Sequence, residues 1–448
     1  MAEVTEKQAP GGKAPYLRDM DRMNSASAPA WLRALRDGGA AAFLETPFPH
    51  TKLEAWRQVN VAPVVETPFS TPVDGDGLRI LTEGDIAPWA PDEDAAWVVF
   101  VDGVHAPGLG RAGALPEGCF AGSLRAAAAG AWTGEIAGRI GGAAGTPDAF
   151  SALNTAFAGD GAFLYVPKGV ELPAPVHFLF VSARTAPDQA AHPRVLVVLG
   201  DNARANIAVE HVALDGSPAR FNNVVEEIFL GQGAELVRQE VIEEGAEGRR
   251  VGLAAAVLGR DSRLYSHTVS LSGAWVRGQT RVRLAGEGAE VHLNGLYLNR
   301  GTDFTNHDLH ILHDAPHCAS RIAYRGILDG ASRAVFVGKV HVPPHAQQTD
   351  SMQLNKNLLL SPDARVDTKP QLEIYADDVK CTHGATVGGH PDEVVFYFRS
   401  RGLDEKTARA MLTYGFAGDM IGNIPNQAVR RRADRLVFDL FSPASAKR

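Results

Sequence analysis

Cysteine is nearly absent. The 448-residue chain has three, Cys119, Cys318 and Cys381, too few and too far apart for a disulfide framework, and their odd number points to reduced intracellular thiols. Long apolar runs are also missing. VLVVL and LAAAVL fall far short of the ~20 residues that a membrane helix needs, so no membrane span is expected. The opening MAEVTEKQAPGGK is polar, lacks the apolar stretch of a secretory leader and reads as disordered. The expectation is a cytoplasmic protein. Nor is there an excess of positive charge: 44 Lys and Arg stand against 52 Asp and Glu, a net charge of −8, which argues against general nucleic-acid binding. No GxxxxGK[ST] pattern occurs, so the chain is not expected to be a P-loop ATPase. GLGRAG at 108–113 matches a dinucleotide fingerprint in letters only. Pro116 and Gly118 break any helix that would follow it, and it reads as a loop.

What is present is a large apolar fraction, 45% of the residues, enough for a sizeable core, in a chain long enough for two or three units. Residues 1–160 read as a mixed, mostly helical region. It includes a helical pattern in SAPAWLRALRDGGAAAFLE interrupted by Gly38 and Gly39, a strand at 96–103, and helical stretches over 122–157 with Asp148 as a cap. Residues 161–402 have a different texture, in which short β-branched runs alternate with turns. Turn glycines fall at 200, 231, 259 and 286. Such a repeating step is the signature of a solenoid that stacks rungs, and it favours a β-helix over a β-sandwich. Residues 403–448 return to helices, with Asp404 as one cap and Pro425 in the first turn of the next helix. Val429, Ala433, Leu436, Val437 and Leu440 form an apolar stripe there, suited to a partner or to the chain's own core. The basic run RRRADR at 430–435 reads as a solvated face.

Two groups of side chains are candidates for chemistry. NHDLHILHDAPHC brings His307, His310, His313 and His317 before Cys318, which invites a metal reading. In a strand, however, His307 and His313 share one face and His310 takes the other, so core histidines are the simpler account. In DDVKCTHGATVG, Cys381 and His383 lie on one strand face, roughly 7 Å apart. A thiolate and an imidazole at that spacing can converge on one metal, but a closed site needs four ligands. The pair is half a site, either structural or completed by a second chain.

The run MQLNKNLLLSPDARVDTKPQLEIYADDVKCTHGATVG, followed by VVFYFRSRGLDEKTAR, resembles the SufB/SufD family of the Suf iron–sulfur cluster assembly system. DAFSALNTAFAGDGAFLYVPKGVELPAPV, HDLHILHDAPHCASRIAYRGIL and HTKLEAWRQVN add to the likeness, which spans residues 45 to 420. HGATVG after the cysteine and the lack of an early cysteine cluster resemble the SufD branch more than the SufB branch. The resemblance implies a right-handed parallel β-helix core (161–402) with helical N-terminal and C-terminal regions. It implies a non-catalytic scaffold subunit that pairs with a SufB-like paralogue and docks the SufC ATPase through the C-terminal helices, about 403–441. No cofactor is expected to be stably bound to the chain alone. A transient Fe–S cluster is expected at the partner interface, with His383 as metal ligand and Cys381 beside it. Two other readings of the residues stay open, a β-helix polysaccharide-active enzyme and a mononuclear metal enzyme using the 307–317 histidines.

Overall fold

The computed structural model describes residues 12–24, 28–72, 79–92 and 94–441; most of the polar opening segment, read above as disordered, lies outside them. Two ten-stranded sheets face each other. From Arg220–Leu230 onward successive strands of the chain alternate between the sheets, and each pairs in parallel with the one two positions earlier, as in Val251↔Arg277 and Val291↔Ser320. This is a β-solenoid of about eight turns with helices at both ends.

The glycine period follows from the corners of the rungs. A Cβ at Gly286 would lie 2.0 Å from the Arg260 amide nitrogen, one at Gly259 2.9 Å from the Leu230 carbonyl, and one at Gly231 2.7 Å from the Asp201 amide nitrogen. Each turn rests backbone on backbone against the turn before it, and only glycine allows that approach.

The two ends of the stack differ. At the first end the short strands Val104–His105 and Phe120–Ser123 pair antiparallel to their neighbours and stop the parallel ladder. The strand Ala96–Val101 is itself a rung of the solenoid, paired with Val176–Ser182, so the mostly helical region contributes strands to the core fold. Helices cover one sheet face. Ala30–Glu45 runs unbroken through Gly38 and Gly39, because Gly39 is the contact point at which a Cβ would lie 2.5 Å from the Ala156 amide nitrogen of the helix Ala149–Ala156. That helix is capped as expected, the Asp148 carboxylate accepting from the Ser151 amide at 2.8 Å. Trp56, from HTKLEAWRQVN, is buried with the Arg277 guanidinium 3.9 Å from its ring centroid.

At the other end, among the described residues, no strand pairs beyond the last rung, which the N-terminal region touches only at its side, where Lys369 meets Glu54 at 2.9 Å. The strands Arg365–Ile374 and Val379–Gly388 are each the outermost of their sheet, and nearly every residue in them is half-buried or exposed. Their outer edges therefore carry unpaired backbone groups. The helices Asp392–Ser400, Glu405–Ile421 and Gln427–Phe441 follow. Among the described residues no helix is long and apolar enough to cross a membrane.

Candidate functional site

Strand parity decides what faces the lumen. In Thr349–Leu359 the residues Thr349, Ser351, Gln353, Asn355 and Asn357 are buried and inward. The next rung pairs Ser351 with Cys381 and Gln353 with His383, so Cys381 and His383 share the inward face, as their spacing predicts. The rung below buries its counterparts completely, whereas Cys381 is half-buried and His383 is exposed. The two side chains stand at the mouth of the lumen. Partial burial lifts the Cys381 thiol above its usual range; the Ser351 amide opposes that shift and the Asp350 carboxylate adds to it. The isolated chain thus holds this sulfur as a thiol, and metal binding there would release a proton.

Behind the pair the lumen is polar. Gln353 is buried, and neither atom of its amide has a hydrogen-bond partner. It reaches across to the opposite sheet, where a Cβ at Gly338 would lie 2.4 Å from its Nε2. Asn357 Nδ2 donates to Asn355 Oδ1 at 2.6 Å, and the Tyr297 hydroxyl donates to Asn357. On the facing last strand the buried Thr368 hydroxyl also lacks a partner. Buried polar groups without partners are rare in folded chains, and here two of them line one mouth. Among the described residues no group of three or more His, Cys, Asp and Glu side chains converges on a metal position; the chain offers two donors at this end.

The 307–317 histidines do not converge. His307 and His313 point into the lumen and His310 points out of it. His307 lies between the Tyr297 and Tyr324 rings at 5.2 Å from each. His313 Nε2 is 2.9 Å from the Ser320 hydroxyl. Burial holds both imidazoles down to pKa values of about 4. His317 occupies a left-handed turn position, φ 60°, on the surface.

Deeper in the lumen is an ion network with no counterpart in the sequence reading. Arg238 Nε meets Glu226 at 2.8 Å, Arg250 meets Glu240 at 2.8 Å and Glu244 at 3.3 Å, and Asn222 donates to Glu244 at 2.6 Å. Alternation along the strands holding Glu226, Arg238 and Arg250 was the available signal, but alternate charged residues in a strand ordinarily mark its solvent face.

The C-terminal stripe is core. Val429, Ala433 and Val437 are buried against the outer face of the sheet with Ile327 and Leu358, and Leu436 and Leu440 pack at the margin. Asn426 caps this helix at the Val429 amide, with Pro425 just outside. The basic run is only partly solvated, since Arg432 reaches the buried Glu210 and lies 3.3 Å from Glu243. The stripe leaves Phe438 of the same helix exposed (56%), and the two preceding helices expose Phe396 (70%), Tyr397 (56%) and Met411 (50%). GLGRAG is packing: Cβ atoms at Gly110 and Gly113 would collide with Trp97 and Ala96.

A family model described as "SUF system FeS cluster assembly, SufBD core domain" matches residues 180–416, and one for the "SufBD protein N-terminal region" matches residues 15–178. An iron–sulfur cluster assembly SufBD family protein of Synechocystis sp. is 31% identical over 416 residues, 90% of this chain and 89% of that one. The iron–sulfur cluster assembly protein SufD of Escherichia coli K12 is 29% identical over 401 residues, 87% and 88% of the two chains. A chloroplastic protein of Arabidopsis thaliana, ABCI7, is 29% identical over 423 residues, 92% and 86% of the two.

Proposed function

The chain belongs to the SufBD family of the SUF iron–sulfur cluster assembly system, and from that membership we propose that it is a non-catalytic scaffold subunit whose open solenoid end meets a SufB-like paralogue. The observation that carries this reading is the bare last rung. A stack of rungs needs an end cap, and an uncovered pair of strand edges is a template for another chain. Cys381 and His383 face out of that mouth with two donors, so a nascent Fe–S cluster, the cargo of assembly, takes its remaining ligands from the partner. His383 provides an imidazole, and Cys381 a thiolate once its proton leaves. The unpartnered Gln353 amide behind them is a ready hydrogen-bond donor toward cluster sulfur.

The SufC ATPase is proposed to dock on the C-terminal helices, at the exposed Phe396, Tyr397 and Met411 and not along the buried stripe of the last helix. The two other readings find less support: family membership favours an assembly subunit over a polysaccharide enzyme, and among the described residues the 307–317 histidines do not converge on one metal position.

Co-expression with a SufB-like chain and SufC tests the proposal. The His383→Ala chain is expected to purify with both partners, yet the complex should lack the visible absorbance of an Fe–S cluster. A normal cluster in that complex would remove His383 from the site. Phe396→Ser with Tyr397→Ser is expected to lose SufC and keep the SufB-like chain; unchanged SufC retention would move the docking surface.

A further inference from the structure

At the opposite end of the stack from Cys381, a cleft of about 530 Å³ opens between the helix Ala30–Glu45 and the first rungs. Its size lies within the range of small-molecule sites. Met23, Leu32 and Phe157 give it an apolar wall. Two guanidiniums meet beside that wall. Arg36, only 6% exposed, donates from Nε to the Ala158 carbonyl at 2.6 Å. Arg125 donates from Nε to the next carbonyl, Gly159, at 3.4 Å. Anchored on consecutive carbonyls, the two cations repel each other, and that repulsion adds to burial in lowering the Arg36 pKa.

Neither guanidinium has an ion-pair partner among the described residues. The nearest carboxylates do not reach the pair, although Asp102 keeps one buried oxygen, Oδ2, without a hydrogen-bond partner. Asp160 accepts from the Ser123 hydroxyl at 2.7 Å and from the amides of Gly161, Arg125 and His105 at 2.8, 3.2 and 3.3 Å. Asp102 accepts from the Ala183 amide at 3.0 Å and faces Arg184 at 3.9 Å. His192, held neutral by burial, completes the floor, its Nε2 2.9 Å from the Thr71 hydroxyl. Keeping two like charges together, one of them buried, costs free energy that an anion would recover.

We propose that this cleft binds a small organic phosphate, with the phosphate on Arg36 and Arg125 and the organic part against Met23, Leu32 and Phe157. Guanidinium forks match phosphate oxygens in pairs, and an apolar wall beside them selects an esterified phosphate over the bare ion.

Calorimetric titration of the full chain with inorganic pyrophosphate and with a nucleoside diphosphate tests this. Saturable binding is expected for both, tighter for the nucleotide, with a Kd below about 1 mM. Arg125→Gln, at an exposed position, should weaken binding about tenfold or more. Arg263→Gln, on the solenoid exterior, should leave it unchanged. Arg36→Gln should abolish binding, but it also loses the Ala158 anchor, so Arg125→Gln is the deciding variant. No saturable binding, or equal affinity in Arg125→Gln, overturns the proposal. Co-sedimentation with anionic phospholipid vesicles without binding of either soluble phosphate would overturn it too, assigning the cations to a membrane surface.

Discussion

Gly326 and Gly295 lie inside strands, where glycine ordinarily weakens a sheet. Their reason is the filling of the lumen. A Cβ at Gly326 would lie 2.3 Å from the Tyr297 ring and 2.5 Å from Asn357 Oδ1, and one at Gly295 2.1 Å from the Tyr324 ring. Both rings are buried, so neither can swing into solvent to make room. Gly326→Ala should therefore destabilise the chain by about 1–3 kcal/mol through overpacking, read as a lower urea midpoint. An unchanged midpoint would mean that the Tyr297 ring is free to move. The same glycines account for the polar lumen near the mouth. Gly326 admits Tyr297, whose hydroxyl donates to Asn357, which in turn donates to Asn355, and Gly295 admits Tyr324.

The last helix shows how an element is fixed from one side. Arg432 crosses from Gln427–Phe441 to Glu210 and Glu243 on two adjacent strands, and Glu210 is fully buried. Arg432→Met would strand that carboxylate without its cation and should cost about 3–5 kcal/mol. Adding Glu210→Gln should restore part of the loss, because the fully buried charge is then gone and only the less deeply buried Glu243 is left without its cation. A single variant within about 1 kcal/mol of the parent would sink this account, and urea melts of the two variants decide it. The sequence made the stripe of this helix legible but not its partner, since the sheet face beneath it is assembled from residues about 70 to 220 positions away. The solenoid was legible for the opposite reason. Its period is local, imposed at Gly231, Gly259 and Gly286 by contact between successive turns. The faces of His307, His310 and His313 followed from strand alternation alone, and so did the shared face of Cys381 and His383. The ion network of Glu226, Arg238, Glu240 and Arg250 was hidden because burial of both partners depends on two sheets facing each other. The strand Ala96–Val101 was visible as a strand, but its place as a rung required its pairing with Val176–Ser182.

For the whole molecule, the many buried histidines set the acid limit. Desolvation lowers His192 to about 3 and His267, His307 and His313 to about 4, against 6.5 for an ordinary histidine. The His292 charge adds to the shift at His267, and Glu240 opposes it at His307. Between pH 6.5 and 4 the unfolded chain binds protons at these positions while the native chain does not, so stability rises with pH across that window and is lost as pH falls. Asp19, Asp102, Glu243 and Asp303, raised by burial, pull the other way from their unfolded values of 3.8 and 4.5 upward, whereas the histidine contribution sets in from 6.5 downward. Urea midpoints should fall steadily from pH 7.5 to 5.5. His313→Gln can keep hydrogen bonds to Ser320 and Thr349 while removing one titrating group, so it should flatten the slope by up to about 1.4 kcal/mol per pH unit. A parent midpoint that stays flat over that range would show that these buried sites, His307 and His313 in the lumen among them, admit protonated imidazoles and the water that solvates them.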